Sequence, residues 1–268
     1  MDDGKCTTET HLVPAHGTTT LIVVYTNDEA TMETTLARFE QLLEKEKHKF
    51  VGLDLEYTRA NKRKNPPQEI VVVQIAIHEE VLVYHFCRSK PTKMHCPALV
   101  EFLCRNGITF TSVDITNDTI MLSRALIKIP EGHHIDIQNL YKIKSYPAKD
   151  GMGDLAAEII DKSYEKLKKL KRLDHEYWEW KPMSPVRLEY AARDAYMACE
   201  LYSKLITMKD GMVKAGFFVR ELCPGCKLAQ EKKSEEDRKQ FQDEQGSWYG
   251  GDIKRLKGKQ VKDDNKWW

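Results

Sequence analysis

Phe50-Val-Gly-Leu-Asp-Leu-Glu-Tyr57 is the stretch on which the fold turns. It reads as an apolar strand interrupted by Asp54 and Glu56, which stand two apart, so both side chains point to one face of a sheet. Burying two unpaired anions there is costly, so a positive group is expected between them. The alternative is a strand edge with two solvated acids. In a chain with 41 Asp and Glu residues the pair by itself does not decide the matter.

Working outward, Ile70–Ile77 and Val81–Phe86 are β-branched apolar runs set off by short polar stretches suited to hairpins, the first containing Pro66-Pro67. Three successive strands predict an antiparallel meander. Upstream, Thr20–Tyr25 reads as a strand and Met32–Lys45 as a helix carrying Leu36, Phe39, Leu42 and Leu43 at helical spacing. Downstream, a helix is expected from Pro97 through Leu103, a strand over Ile108–Ile115, a helix over Asn117–Leu126 opened by Asn or Asp, and a short strand at His134–Ile137. This alternation implies parallel pairing beside the meander. The expected architecture is α/β, with a central mixed sheet of five or six strands flanked by helices. Helices come last: Leu155–Leu170, then Val186–Met208 after the start signal of Pro182 and Ser184-Pro185.

Composition sets outer bounds. Hydrophobic residues at 41% and charged residues at 31% are ordinary for a globular chain, and no run nears the ~18 apolar residues of a membrane span. A net charge of +1 means that any nucleic-acid contact must rely on local Lys and Arg clusters rather than on the overall field. The N-terminal residues lack secretory or transit character, which predicts a nuclear or cytoplasmic protein without membrane attachment. Seven cysteines without dense spacing fit reduced thiols, with Cys87, Cys104 and Cys199 read as buried small hydrophobes. Residues 1–18 are expected to form an N-terminal extension, 19–225 the main domain and 226–268 a charged, weakly ordered tail ending in Trp267-Trp268.

Tyr190-Ala-Ala-Arg-Asp194 gives the acids of the strand more weight. Tyr190 and Asp194 are four apart on the last helix and share a face, so they can project into one site. Asp118 opens the helix after the strand Ile108–Ile115 and can be read either as an N-cap or as a further site acid.

Taken together, Val51–Tyr57, Ile115-Thr-Asn-Asp-Thr-Ile-Met-Leu122 and Leu188-Glu-Tyr-Ala-Ala-Arg-Asp-Ala195 resemble the three motifs of the DEDDy 3′-5′ exonucleases. That family includes ribonuclease D, proofreading exonucleases and the Werner syndrome exonuclease domain. Trp180-Lys-Pro-Met-Ser-Pro185 is similar to the stretch that precedes the third motif, and the likeness spans roughly residues 20–210. The resemblance implies a ribonuclease H-like fold and hydrolysis of terminal phosphodiesters to nucleoside 5′-monophosphates. It implies two Mg²⁺ or Mn²⁺ ions, one on Asp54, Glu56 and Asp194 and the other on Asp54 and Asp118, partly through water. Tyr190 would orient or help deprotonate the attacking water. The implied partner is a single-stranded 3′ end of RNA or DNA. Hard divalent cations prefer oxygen ligands, and a pair ~4 Å apart can stabilise both the attacking and leaving oxygens, so the chemistry agrees with the residue types.

One residue departs from the family pattern: Asp114 stands where a glycine is usual, four before Asp118, and either alters metal affinity or points to solvent. Asp136 is read as supporting structure, and the glycines of Gly151-Met-Gly-Asp-Leu-Ala156 as positions of close backbone approach. Lys62-Arg63-Lys64 can meet phosphates of an incoming strand or simply be a solvated loop, and Lys166–Arg172 is an exposed helical face or a backbone-tracking groove. Trp178 and Trp180 are expected in the core rather than as base-stacking surfaces. Cys223-Pro-Gly-Cys226 is a reduced turn, a disulfide or half a zinc site, the remaining zinc ligands then coming from among His85, Cys87, His95 and Cys96. Rival readings of the whole chain are a catalytically weak nuclease-fold module that binds nucleic acid or a protein, and a scaffold for the tail. The presence of all five motif side chains argues against a decayed site.

Overall fold

The computed structural model describes residues 6–58, 68–86, 96–141, 143, 150–166 and 177–214. The chain divides into two units, Met1–Gly211 and Met212–Trp268. Of the second, only residues 212–214 are described, as helical backbone. Lys62, Arg63, Lys64, Cys87, His95, residues 167–172, Cys223, Cys226 and the tail lie outside the described residues.

The first unit is built on a mixed sheet of seven strands: β1 (Thr8–Pro14), β2 (Thr20–Thr26), β3 (Phe50–Tyr57), β4 (Ile70–Ile77), β5 (Glu80–His85), β6 (Thr109–Ser112) and β7 (His134–Asp136). Their spatial order is β1-β2-β5-β4-β3-β6-β7. The meander β3–β4–β5 is antiparallel, whereas β2 joins β5, and β6 and β7 extend the sheet from β3, in parallel. Among the described residues no helix is long and apolar enough to cross a membrane.

The seventh strand is β1, in the segment expected to be an extension. It pairs antiparallel with β2 from Thr8 opposite Thr26 to Pro14 opposite Thr20. It is an edge strand whose residues are largely exposed, so it lacks the apolar alternation that marks a strand with a buried face, and its closing Pro14 sits where a missing donor is tolerated.

Alternation in the central strands sorts the side chains onto two faces. Val51, Leu53 and Leu55 of β3, Val73, Ile75 and Ile77 of β4, and Leu82 of β5 join one core with Met32, Leu36 and Phe39 of α1 (Glu29–Leu43) and Leu99, Phe102 and Leu103 of α2 (Pro97–Leu103). Asp28 caps α1 by accepting from the Thr31 backbone N–H at 3.0 Å. The opposite face presents Val72, Ala76, Val81 and Val83, covered by α5 (Pro185–Lys214) through Ala191, Ala192 and Ala195. There α5 lies directly on β3: a Cβ at Gly52 would meet the Ala195 carbonyl oxygen at 1.9 Å, so only glycine permits this approach.

The remaining helices differ from expectation in instructive ways. Asp118 is not the N-cap of α3 (Thr116–Arg124) but lies inside its first turn, the cap position being Ile115. Helix α4 (Met152–Ile159) stops far short of Leu170. The Asp161 carboxylate accepts from Ser163 N at 2.8 Å, and this local bond favours a 3₁₀ turn over Lys162–Lys166 in place of further α-helix. Close approach does not explain the glycines around α4, since a Cβ at Gly153 would meet nothing within 4 Å and one at Gly151 only Asp154 at 3.9 Å.

Candidate active site

Strand β3, helix α3 and helix α5 bring Asp54, Glu56, Asp118, Tyr190 and Asp194 into electrostatic contact. Asp118 is buried and the other four are half-buried, so the group is inset but still open to solvent. Burial, followed by the charges of Asp194 and Asp118, pushes the Asp54 carboxyl well above its ordinary range. Glu56 is raised likewise, by burial and then by Asp54, Asp194 and Asp118, against a lowering influence from Arg187. Asp194 is pushed up to about 7 by burial, opposed by a hydrogen bond from Tyr190 and by Arg193. Asp118 is pushed up to about 6 by burial, opposed by a bond from Tyr57 and reinforced by Asp114 and Asp136. These are acids held out of water, Asp54 and Glu56 also against the charges of the others, and a cation among them would offset that cost. Among the described residues no three His, Cys, Asp or Glu side chains form a ready-made metal cage. The acids are neighbours in charge, and their oxygen donors are of the class that Mg²⁺ and Mn²⁺ prefer.

Tyr190 is placed on α5 one turn before Asp194 and donates to it. Burial and the Asp194 charge raise its phenol above the ordinary tyrosine range. A phenol held neutral is a hydrogen-bond donor that can orient a water molecule.

Residues that sequence spacing did not single out complete the surroundings. Tyr57 donates to Asp118 Oδ1. A register irregularity between Glu56 and Tyr57 turns the end of β3, and bulges of this kind re-aim side chains beside functional sites. Arg187 lies three residues before Tyr190 and seven before Asp194, a spacing that would have revealed it on the same face of α5. Gln74 is directly opposite Asp54 in the β3–β4 ladder, fully buried, and its amide has no hydrogen-bond partner among the described residues. Arg193, inside the third motif, fastens α5 to β1 by donating to the Pro14 carbonyl at 2.8 Å.

Asp114 is exposed yet raises Asp118, so it acts on the site without entering it. Its φ of 61° lies in the left-handed region, which glycine occupies without strain and Asp tolerates better than most residues. Asp136 is supporting structure: its Oδ1 accepts from Gln138 N at 3.0 Å and from Asp114 N at 3.2 Å.

The two tryptophans part company. Trp178 is buried at 2% exposure under α5, whereas Trp180 is 59% exposed. Cys199 is buried, with its thiol pushed up to about 12 by desolvation, but Cys104 is only half-buried. His85 and Cys96 cannot serve one zinc ion, because His85 bonds Tyr25 at 2.9 Å on the α5 face while Cys96 packs in the core beneath α1 and α2.

Comparison with known proteins bears on the fold and on the family. The exonuclease domain of Nibbler from Aedes aegypti superposes with a TM-score of 0.55 at 16% identity, over 75% of this chain and 94% of that one. Escherichia coli RNase D, an exoribonuclease involved in structured RNA processing, gives 0.52 at 17% identity, over 71% of this chain and 46% of that one. Trypanosoma brucei RNase D in complex with the RNA U12 gives 0.51 at 19% identity, over 70% and 63%. At these identities the likeness is one of fold, the ribonuclease H-like α/β sheet. No curated protein matches the chain by sequence. The family model described as 3′-5′ exonuclease matches residues 29–209, more than half of the 268, and it takes in β3, α3 and the part of α5 that carries Tyr190 and Asp194. The chain belongs to the 3′-5′ exonuclease family.

Proposed function

We propose that this chain removes nucleotides from the 3′ end of single-stranded nucleic acid by metal-dependent hydrolysis of the terminal phosphodiester, releasing nucleoside 5′-monophosphates. The observation that carries the proposal is that Asp54, Glu56, Asp118 and Asp194, acids from three separate elements, are all raised by burial, Asp54 and Glu56 also by the charges of the other acids, a cost that a divalent cation would offset. Membership of the family supports the same reading, as does a neighbour of the same fold solved with RNA.

Asp54, Glu56 and Asp194 would hold one Mg²⁺ or Mn²⁺, and Asp54 with Asp118 a second. Such ions supply a Lewis acid for the phosphate and lower the pKa of water. The chain's own residues do the rest. Tyr57 steadies the Asp118 carboxylate by donating to it. Tyr190, neutral and bonded to Asp194, orients water toward the terminal phosphate. Arg187 offers the phosphate a positive charge beside Glu56.

The test is a time course on labelled single-stranded RNA and DNA in Mg²⁺ and in Mn²⁺. Digestion is expected in at least one metal and none in EDTA. Asp194→Asn should lose ~10²-fold or more, the scale of removing a group that stabilises transition-state charge. Tyr190→Phe should keep its fold and lose ~10- to 10³-fold. Full activity in EDTA, or from Asp194→Asn, would contradict the proposal.

A further inference from the structure

Trp180 is the largest of the exposed apolar side chains among the described residues, and it is not loosely held. Its ring stacks on Tyr177, centroids 4.4 Å apart and planes at 27°. The turn that joins them is closed by Trp180 N donating to the Tyr177 carbonyl at 3.0 Å. Arg187 Nη1 reaches the same carbonyl at 3.4 Å. Tyr177 has a φ of 67°, a conformation unfavourable for an aromatic residue that persists only where surrounding contacts impose it. The fold thus strains its backbone to present a stacked aromatic pair while leaving Trp180 59% exposed.

Location says what the pair is for. Arg187 is the link: its Nη1 reaches the Tyr177 carbonyl and its guanidinium carbon lies 5.9 Å from the centre of the Trp178 ring. Trp178, between them in sequence, packs its ring 6.2 Å from that of Tyr190. Through Arg187 and Trp178 the stack is thus joined to Tyr190, which donates to Asp194. A ligand that suits it is flat and aromatic and carries an anion for Arg187, which is the chemistry of a nucleotide. We propose that Tyr177 and Trp180 form a stacking platform for a base of single-stranded nucleic acid whose end occupies the carboxylate site. The proposal rests on the nuclease reading of that site. Every base has a π-face, so the platform accepts RNA and DNA without reading sequence.

The test measures binding of a fluorescent single-stranded oligonucleotide to the full chain carrying Asp54→Asn, in Mg²⁺, with and without Trp180→Ala or Trp180→Phe. Trp180→Ala should weaken binding about 10-fold or more, the scale of one lost stacked base, and Trp180→Phe should restore most of it. A strand made abasic throughout should bind weakly, and equally with or without the Trp180 indole. The abasic arm keeps Trp180 in place, so it decides even if Trp180→Ala fails to fold. Unchanged affinity of Trp180→Ala for the intact strand would overturn the platform, as would an abasic strand bound as tightly as the intact one by the chain that keeps Trp180. If the chain with Asp54 intact degrades the strand while these arms fail, only the platform falls. If no nucleic acid is bound or degraded by any form, the nuclease reading falls with it.

Discussion

Leu53 and Asp54 are chain neighbours on opposite faces of one sheet, and the two faces differ in what they ask of the chain. On the Leu53 side, β3, β4 and β5 meet α1 and α2 mainly with aliphatic residues, Tyr57 and Tyr84 being the hydroxyl-bearing exceptions. On the Asp54 side the same strands present Asp54, Glu56, Gln74 and His85 beneath and beside α5. The first face contributes stability. The second carries buried polar groups that oppose folding, and it tolerates them because Gly52, Ala191, Ala192 and Ala195 let helix and strand pack at short range. A sheet of this kind can separate folding from chemistry by the parity of its residue numbers.

The largest expected effects dissociate the two faces. Leu53→Ala should destabilise the protein by ~2–5 kcal/mol through lost burial and a residual cavity, as read by thermal or denaturant unfolding. Asp54→Asn should do the reverse: the rate falls ~10²-fold or more, while the metal-free protein at pH 8 melts no lower than wild type, because a crowded buried charge is gone. A marked loss of stability in Asp54→Asn without metal would mean that Asp54 is structural and that the faces are not so divided.

A smaller effect is the pH dependence of metal-free stability. Asp118 and Asp194 have folded values of about 6 and about 7 against an ordinary 3.8. Between about pH 4 and pH 7 the folded state therefore binds protons that the unfolded state has released. Stability from these groups is fully present below pH 4 and is lost as pH rises through 6 and 7. Melting in EDTA should fall over that window, and saturating Mn²⁺ should raise it by an amount that grows with pH. A metal-induced shift independent of pH would count against the acids as ligands.

The smallest concerns Asp114. Replacing it with glycine relieves a left-handed φ but adds unfolded-state entropy, so net stability should move by less than ~1 kcal/mol. The decline in stability near pH 6 should nevertheless shrink, since one charge that raises Asp118 is removed. An unaltered pH profile for Asp114→Gly would show that an exposed carboxylate does not reach the site.

Much of this was legible in the chain itself, and the exceptions have physical causes. The strands around Leu53, Ile75 and Val83 were readable because burial imposes a β-branched, apolar pattern, whereas Asp54, Glu56, Asp118, Tyr190 and Asp194 stood out through the resemblance of three segments to the exonuclease motifs, their spacing alone leaving structural readings open. Edge strand β1 was hidden by its exposure, and the early stop of α4 by a local bond from Asp161 that hydropathy does not register. Tyr57 and Arg187 act through tertiary reach, one across 61 positions to Asp118, the other from α5 to Glu56. Trp178 and Trp180 are two residues apart with opposite fates, which only the turn closed on the Tyr177 carbonyl decides.

The most direct test of the nuclease reading follows an oligonucleotide labelled at its 5′ end, beside a circular single strand of the same sequence, in Mg²⁺ or Mn²⁺. With the terminal nucleotide seated against Asp54 and Glu56, the linear strand should shorten one nucleotide at a time from its 3′ end. A 3′-phosphate should slow this markedly, because extra negative charge is brought against the crowded acids, and the circle should survive. Cleavage of the circle at the rate of the linear strand would contradict the account.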